Sequence, residues 1–164
     1  TGIDPHIWMS PKAVKIQIKH IADALKKEDP ANASLYEKNY QAFIADIDRM
    51  DTELKTMLQP LAGKKFMVFH PAWSYFSRDY GLEQLSIEIE GKTPSPAQMK
   101  EVIDKAKEAA VNVIFVQKQF DSHSAEAVAN ELGGRIVLLD PLAEDWMENM
   151  KTIAATLVKE LAAK

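Results

Sequence analysis

The stretch Lys64–Phe76, KKFMVFHPAWSYF, decides the fold. Phe66, Met67, Val68 and Phe69 form an uninterrupted apolar run, the pattern of a short strand buried on both faces. His70 and Pro71 end it, since proline has no N–H to give a neighbouring strand. A helix containing Trp73, Tyr75 and Phe76 follows. Toward the C-terminus the alternation continues. LEQLSIEIE (82–90) reads as a second strand, and TPSPAQMKEVIDKAKEAA (93–110) as a helix capped at Ser95 or Thr93, with Met99, Val102, Ile103 and Ala106 inward. VNVIFV (111–116) is a third strand and DSHSAEAVANELGG (121–134) a helix closing on glycines. RIVLLD (135–140) is a fourth strand, and Trp146, Met150, Ile153, Leu157 and Leu161 line a last helix. Apolar strands alternating with amphipathic helices imply an α/β fold, a parallel sheet flanked by helices on both faces.

Toward the N-terminus the pattern is purely helical. Ser10 and Pro11 form a cap and first turn, behind which Val14, Ile18, Ile21, Ala22 and Leu25 fall at helical spacing. Pro30 closes that helix by disfavouring helical geometry in the residue before it. A second helix runs from Asn32 to Leu58, with Tyr36, Tyr40, Phe43, Ile44, Ile47, Met50, Leu54, Met57 and Leu58 on one face. At 1.5 Å per residue it is about 40 Å long, a rod that ties parts of a molecule together.

Composition narrows the function. The chain has 164 residues, 46% apolar and 27% charged, as in globular proteins. A net charge of −4 with no basic run gives no reason to expect nucleic acid or an anionic membrane surface. No apolar stretch approaches the roughly 20 residues of a membrane span. The absence of cysteine excludes disulfides and thiolate metal sites. The chain starts TGIDPHIWMSPKA, without methionine or a signal-peptide pattern, as expected of a processed protein or a fragment.

Ligands of open parallel sheets bind beyond the carboxyl ends of the strands. That rule selects His70, at the end of the first strand, and Asp140, at the end of the last, each followed by proline. His6, in IDPHIW, has a similar setting. Two imidazoles and a carboxylate suit zinc, or manganese with more oxygen donors. Their separation in sequence makes no metal motif by itself, so plainer roles stand beside the metal role: a hydrogen-bonded histidine at a strand tip, an aspartate opening a turn, a surface histidine at a helix entry. Glu88 and Glu90 could bring a carboxylate to the cleft, but an exposed strand edge is the expected role. His20 is expected in solvent and His123 at a helix start, while Trp8, Trp73 and Trp146 flank the candidate ligands. Catalytic signatures are missing: there is no GxxxxGK[ST], no GxSxG and no HExxH.

Taken together, DPHIWMSP, MVFHPAWSYFSRDYGL, EGKTPSPAQM, IFVQKQFDSHSAEAVANELGGRIVLLDPL and MKTIAATLVKEL resemble the zinc and manganese solute-binding proteins of bacterial ABC importers, over the whole chain and in family order. The resemblance implies two α/β lobes joined by one long helix, with the metal between them. Residues 1–30 would then be a remnant of the N-terminal lobe, 31–59 the linking helix and 60–164 the C-terminal α/β lobe. It implies metal ligands at His6 (the histidine of DPH[IV]W), at His70 and at Asp140, with a further histidine upstream of Thr1. His70 is the position where manganese-type members often carry glutamate, so the expected ion is Zn2+, with Mn2+ as the alternative. Gln117 stands where the family carries glutamate, not at a ligand position. The implied function is capture of a divalent ion outside the cytoplasm, periplasmic or lipid-anchored, for delivery to an ABC permease, without enzymatic activity. A surface adhesin of the same fold and, less favoured, an α/β hydrolase using His70 and Asp140 are the alternatives. Because ligation needs neutral imidazoles, affinity is expected to fall below about pH 6.5. The first helix carries an apolar face without its lobe, so self-association through it is expected.

Overall fold

The computed structural model describes residues 3–89, 91–117 and 123–162. Its helices are α1 (Pro11–Glu28), α2 (Ala33–Leu58), α3 (Ser74–Tyr80), α4 (Pro96–Glu108), α5 (His123–Glu131) and α6 (Trp146–Leu161). Its strands are β1 (Lys65–Val68), β2 (Glu83–Ser86), β3 (Val113–Val116) and β4 (Arg135–Leu138). They form one sheet in the order β2-β1-β3-β4, every pairing parallel. Among the described residues, no helix is long and apolar enough to cross a membrane.

The strands are shorter than their apolar runs. Phe69, Ile87 and Leu139 are buried beyond the strand ends, and their N–H groups donate to Phe115, Val68 and Val116 carbonyls. Burial and hydrogen bonding to the neighbouring strand therefore run one residue past each of these strands.

Alternate residues divide the core between two faces, as the pleat requires. Phe66, Val68, Val113 and Phe115 pack with Met50, Leu54 and Leu58 of α2, Phe76 of α3, and Met150, Ile153 and Leu157 of α6. Met67, Phe69, Ile114 and Val116 pack on the other side with Val102 and Ala106 of α4 and Val128 and Ala129 of α5. The α4 cap is Ser95, in a reciprocal capping box with Gln98.

The second half of α2 enters this core through Met50, Leu54 and Leu58, and also carries the buried Ile47 and Asp51. Its first half lies on α1, where Lys26 pairs with Glu37 at 2.8 Å and the Tyr36 hydroxyl donates to Asp29 at 2.8 Å. Ser10 caps α1 by accepting the Ala13 N–H and donates its own hydroxyl to the buried Asp79 carboxylate.

Before α1, a single 3-10 turn (Ile7–Met9) is fastened to the sheet-bearing body. The Trp8 indole N–H donates to the Pro141 carbonyl at 3.0 Å, and the Trp146 indole N–H to the Trp8 carbonyl at 2.9 Å. The Tyr75 hydroxyl donates to the Asp4 carbonyl at 3.0 Å, and Met9 is fully buried in the core beneath α2, α3 and α6. These contacts set the position of His6.

Candidate metal centre

After β1 the chain moves out to β2 at one edge, then returns across the sheet to β3 on the other side of β1. The crevice beyond the carboxyl ends of β1 and β3 is thus a topological switch point, where open α/β sheets bind ligands. His70 stands two residues beyond β1 at that crevice, and the strapped turn carrying Trp8 brings His6 to it.

The two imidazoles meet: His6 Nε2 and His70 Nε2 are 3.3 Å apart, with ring centroids separated by 5.2 Å and planes at 76°. Each ring is backed by a carboxylate. His6 Nδ1 is 2.6 Å from Asp4 Oδ1, and His70 Nδ1 is 2.6 Å from Glu88 Oε2. An ionised carboxylate can only accept, so the hydrogen lies on each Nδ1. In the neutral rings each Nε2 then carries a lone pair, and the two nitrogens face each other across 3.3 Å.

Asp4 is held locally by the turn that its own side chain makes, since Oδ1 also accepts the His6 N–H at 2.9 Å. Burial pushes its carboxyl pKa up, but the His6 N–H and imidazole outweigh that, and the net direction is below the ordinary aspartate value. The Trp8 ring stands edge-on to His6 at 5.3 Å and walls the site.

Glu88 corrects the sequence reading, which placed it on an exposed edge. The strand β2 stops at Ser86, but the chain stays against the end of β1, the Glu88 N–H donating to the Phe69 carbonyl at 3.0 Å. That register turns the carboxylate inward, leaving its side chain 9% exposed beneath His70. Glu90 and the side chain of His123 lie outside the described residues; α5 begins at His123 and His20 is exposed, as expected. Sequence reasoning also passed over Asp4, although Asp-Pro-His is a spacing at which an aspartate caps the N–H two residues on.

Asp140 lies two residues beyond β4, where Oδ1 accepts the Leu142 N–H at 2.9 Å and its carbonyl accepts the Asn149 amide at 2.7 Å. It shares the rim with the Trp8–Pro141 contact, but among the described residues no group of three or more His, Asp or Glu gathers as a metal shell. The structure thus brings His6 and His70 together and gives Asp140 a turn-forming bond. The acid behind His70 Nδ1 is Glu88.

A protein-family profile described as zinc-uptake complex component A, periplasmic, matches residues 1–160. The high-affinity zinc uptake system protein ZnuA of Bacillus subtilis (strain 168) is 32% identical over 143 residues, covering 86% of this chain and 45% of that protein. Its namesake from Brucella abortus (strain 2308) is 30% identical over 162 residues, covering 97% and 48%. Among solved structures, a crystal structure of ZnuA superposes with a TM-score of 0.92 at 48% identity, covering 96% of this chain and 60% of that one. A laminin-binding protein (Lmb) of Streptococcus agalactiae, described as bifunctional with adhesin and metal-transporting activity, gives 0.88 at 29% identity, covering 96% and 64%. This chain spans about half the length of the curated relatives it matches. The family is one of metal-uptake components, not enzymes, and the chain belongs to it: the periplasmic zinc-uptake component A family.

Proposed function

We propose that this chain forms part of an extracytoplasmic protein that captures Zn2+ and passes it to an ABC permease, with His6, His70 and Asp140 as ligands and the shell completed by residues outside this sequence. The observation that carries the reading is the 3.3 Å separation of the two Nε2 atoms. Two nitrogens bound to one tetrahedral zinc at 2.0–2.1 Å must lie about 3.3–3.4 Å apart. The imidazole pair therefore has the edge length of a zinc tetrahedron. In this reading Asp140 accepts the Leu142 N–H and still offers the ion an oxygen. Histidine donors favour zinc over manganese, although the Irving–Williams order lets zinc win in vitro whichever ion is carried in the cell. The zinc uptake proteins among its relatives point the same way. In the isolated chain, the apolar residues left exposed on α1 mediate self-association.

A zinc titration against a competing chelator, followed by tryptophan emission, tests the proposal. Loss of a supporting carboxylate costs about 10- to 100-fold in metal affinity, so loss of a ligand itself in His70→Ala should cost more. Equal affinity in wild type and variant sinks the reading. Adhesion is a second reading, favoured by the Lmb neighbour; it requires partner binding, for which laminin is the probe, that survives removal of His6 and His70.

A further inference from the structure

We infer that Glu88 is a positioning residue for His70. It fixes the ring in its Nδ1–H form with Nε2 turned to the cleft, and Asp4 does the same for His6. The inference rests on the metal-capture reading for its purpose but on the metal-free geometry for its evidence.

The carboxylate of Glu88 is almost fully enclosed and 2.6 Å from His70 Nδ1. Its backbone is pinned on both sides, the N–H donating to the Phe69 carbonyl and the carbonyl accepting the Ser86 hydroxyl at 3.0 Å. Phe69 is the residue next to His70, so one short stretch of main-chain pairing sets the distance between acid and ring. An enclosed carboxylate needs a donor. The imidazole Nδ1–H supplies it, and a neutral ring that does so leaves Nε2 unprotonated. Asp4 performs the same service from the other side, 2.6 Å from His6 Nδ1.

The consequence appears when one carboxylate is removed. Two neutral imidazoles whose Nε2 atoms lie 3.3 Å apart are within reach of a mutual N–H···N bond if either one moves its hydrogen to Nε2. Such a bond would satisfy both rings and close the half-site without any ion. The two acids forbid it, because each holds the hydrogen at the far side of its ring. Glu88 thus keeps the pair open as a two-nitrogen claw. The ordering resides within one body, since the turn that bears His6 is strapped to the sheet through Trp8, Trp146 and Tyr75.

Long-range 1H–15N NMR of the metal-free chain at pH 8 reads the tautomer directly, with zinc affinity against a chelator as the second readout. Wild type should show Nδ1–H signatures at His6 and His70. In Glu88→Ala the His70 signature should move toward Nε2–H, with zinc affinity down about 10- to 100-fold. Glu88→Gln, whose side-chain oxygen can still accept, should restore the wild-type tautomer and part of the affinity. Circular dichroism of both variants separates this from misfolding, which Glu88→Gln is least able to cause. An unchanged His70 tautomer in a folded Glu88→Ala overturns the inference. Should wild type show the tautomer, and Glu88→Ala lose it, while zinc binds neither protein, the positioning role stands and the zinc reading falls.

Discussion

At the scale of single residues, two enclosed acids each hold a polar partner, Glu88 behind His70 and Asp51 beside Tyr80. His70 stood out in the sequence because a proline follows it at a strand end, and His6 because it lies in DPHIW ahead of the first helix; the structure brings the two rings together. Glu88 did not stand out, because strand alternation cannot show that a chain leaving its strand stays hydrogen-bonded to the end of the next one. A second buried acid illustrates the same point. Asp51 on α2 is 6% exposed, accepting from the Tyr80 hydroxyl at 2.9 Å and the Lys55 ammonium at 2.5 Å. Burial, then the Asp51 charge, push the Tyr80 pKa far above the ordinary tyrosine value. A folded-state pKa raised above that of the unfolded chain gives stability that is complete below about pH 10 and lost as the pH climbs further. Tyr80→Phe should cost about 1–3 kcal/mol at pH 7, because Asp51 keeps its burial and loses a donor. Urea unfolding at pH 7 and pH 11 checks both: the cost should shrink at the higher pH, and an equal cost at both would contradict the assignment.

At the scale of elements, the strand–helix alternation and the long α2 were readable from periodicity, while strand ends were not. RIVLLD stays apolar as far as Leu139, yet the paired register stops at Leu138, so side-chain character alone does not mark the strand end. The turn into β4 depends on a close approach that only a glycine permits. A Cβ on Gly134 would stand 2.1 Å from the Asn112 carbonyl oxygen, the atom that accepts the Arg135 N–H at the start of the β3–β4 ladder. Neither group can yield, because both are main chain. Gly134→Ala should therefore cost about 1–3 kcal/mol, read as a lowered denaturation midpoint. At Gly133 a Cβ would meet nothing within 4 Å, but its φ of +58° strains any other residue, so Gly133→Asn should be milder than Gly133→Ala. If Gly134→Ala proves neutral, the close approach is not a constraint.

At the scale of the whole molecule, the apolar surface is unevenly distributed. Around the sheet, Phe66, Trp73, Phe76 and Phe115 are all but excluded from solvent. On the paired helices α1 and α2, by contrast, Ile21 is 57%, Leu25 44% and Phe43 38% exposed, bordering a groove of about 400 Å3 with Ile18 and Tyr40. Those residues recur at helical spacing, as a face made for burial does, and lone exposed side chains do not. Lys26 and Glu37, next in sequence to the groove residues Leu25 and Tyr36, pair between the two helices. Water contact with such a face is costly at roughly 25 cal/mol per Å2, so two copies gain by turning it inward. Sedimentation velocity of the isolated chain across a hundredfold range of concentration should show a rising weight-average mass. Ile21→Lys combined with Phe43→Glu should abolish that rise while leaving the circular dichroism spectrum and zinc affinity unchanged, because the face lies on the helical pair and the imidazoles lie at the sheet. A chain monomeric at every concentration would mean that the groove is too shallow to hold a partner. Loss of zinc binding in the double variant would mean that the helical pair and the metal half-site are coupled through α2, which packs against both α1 and the sheet-bearing core.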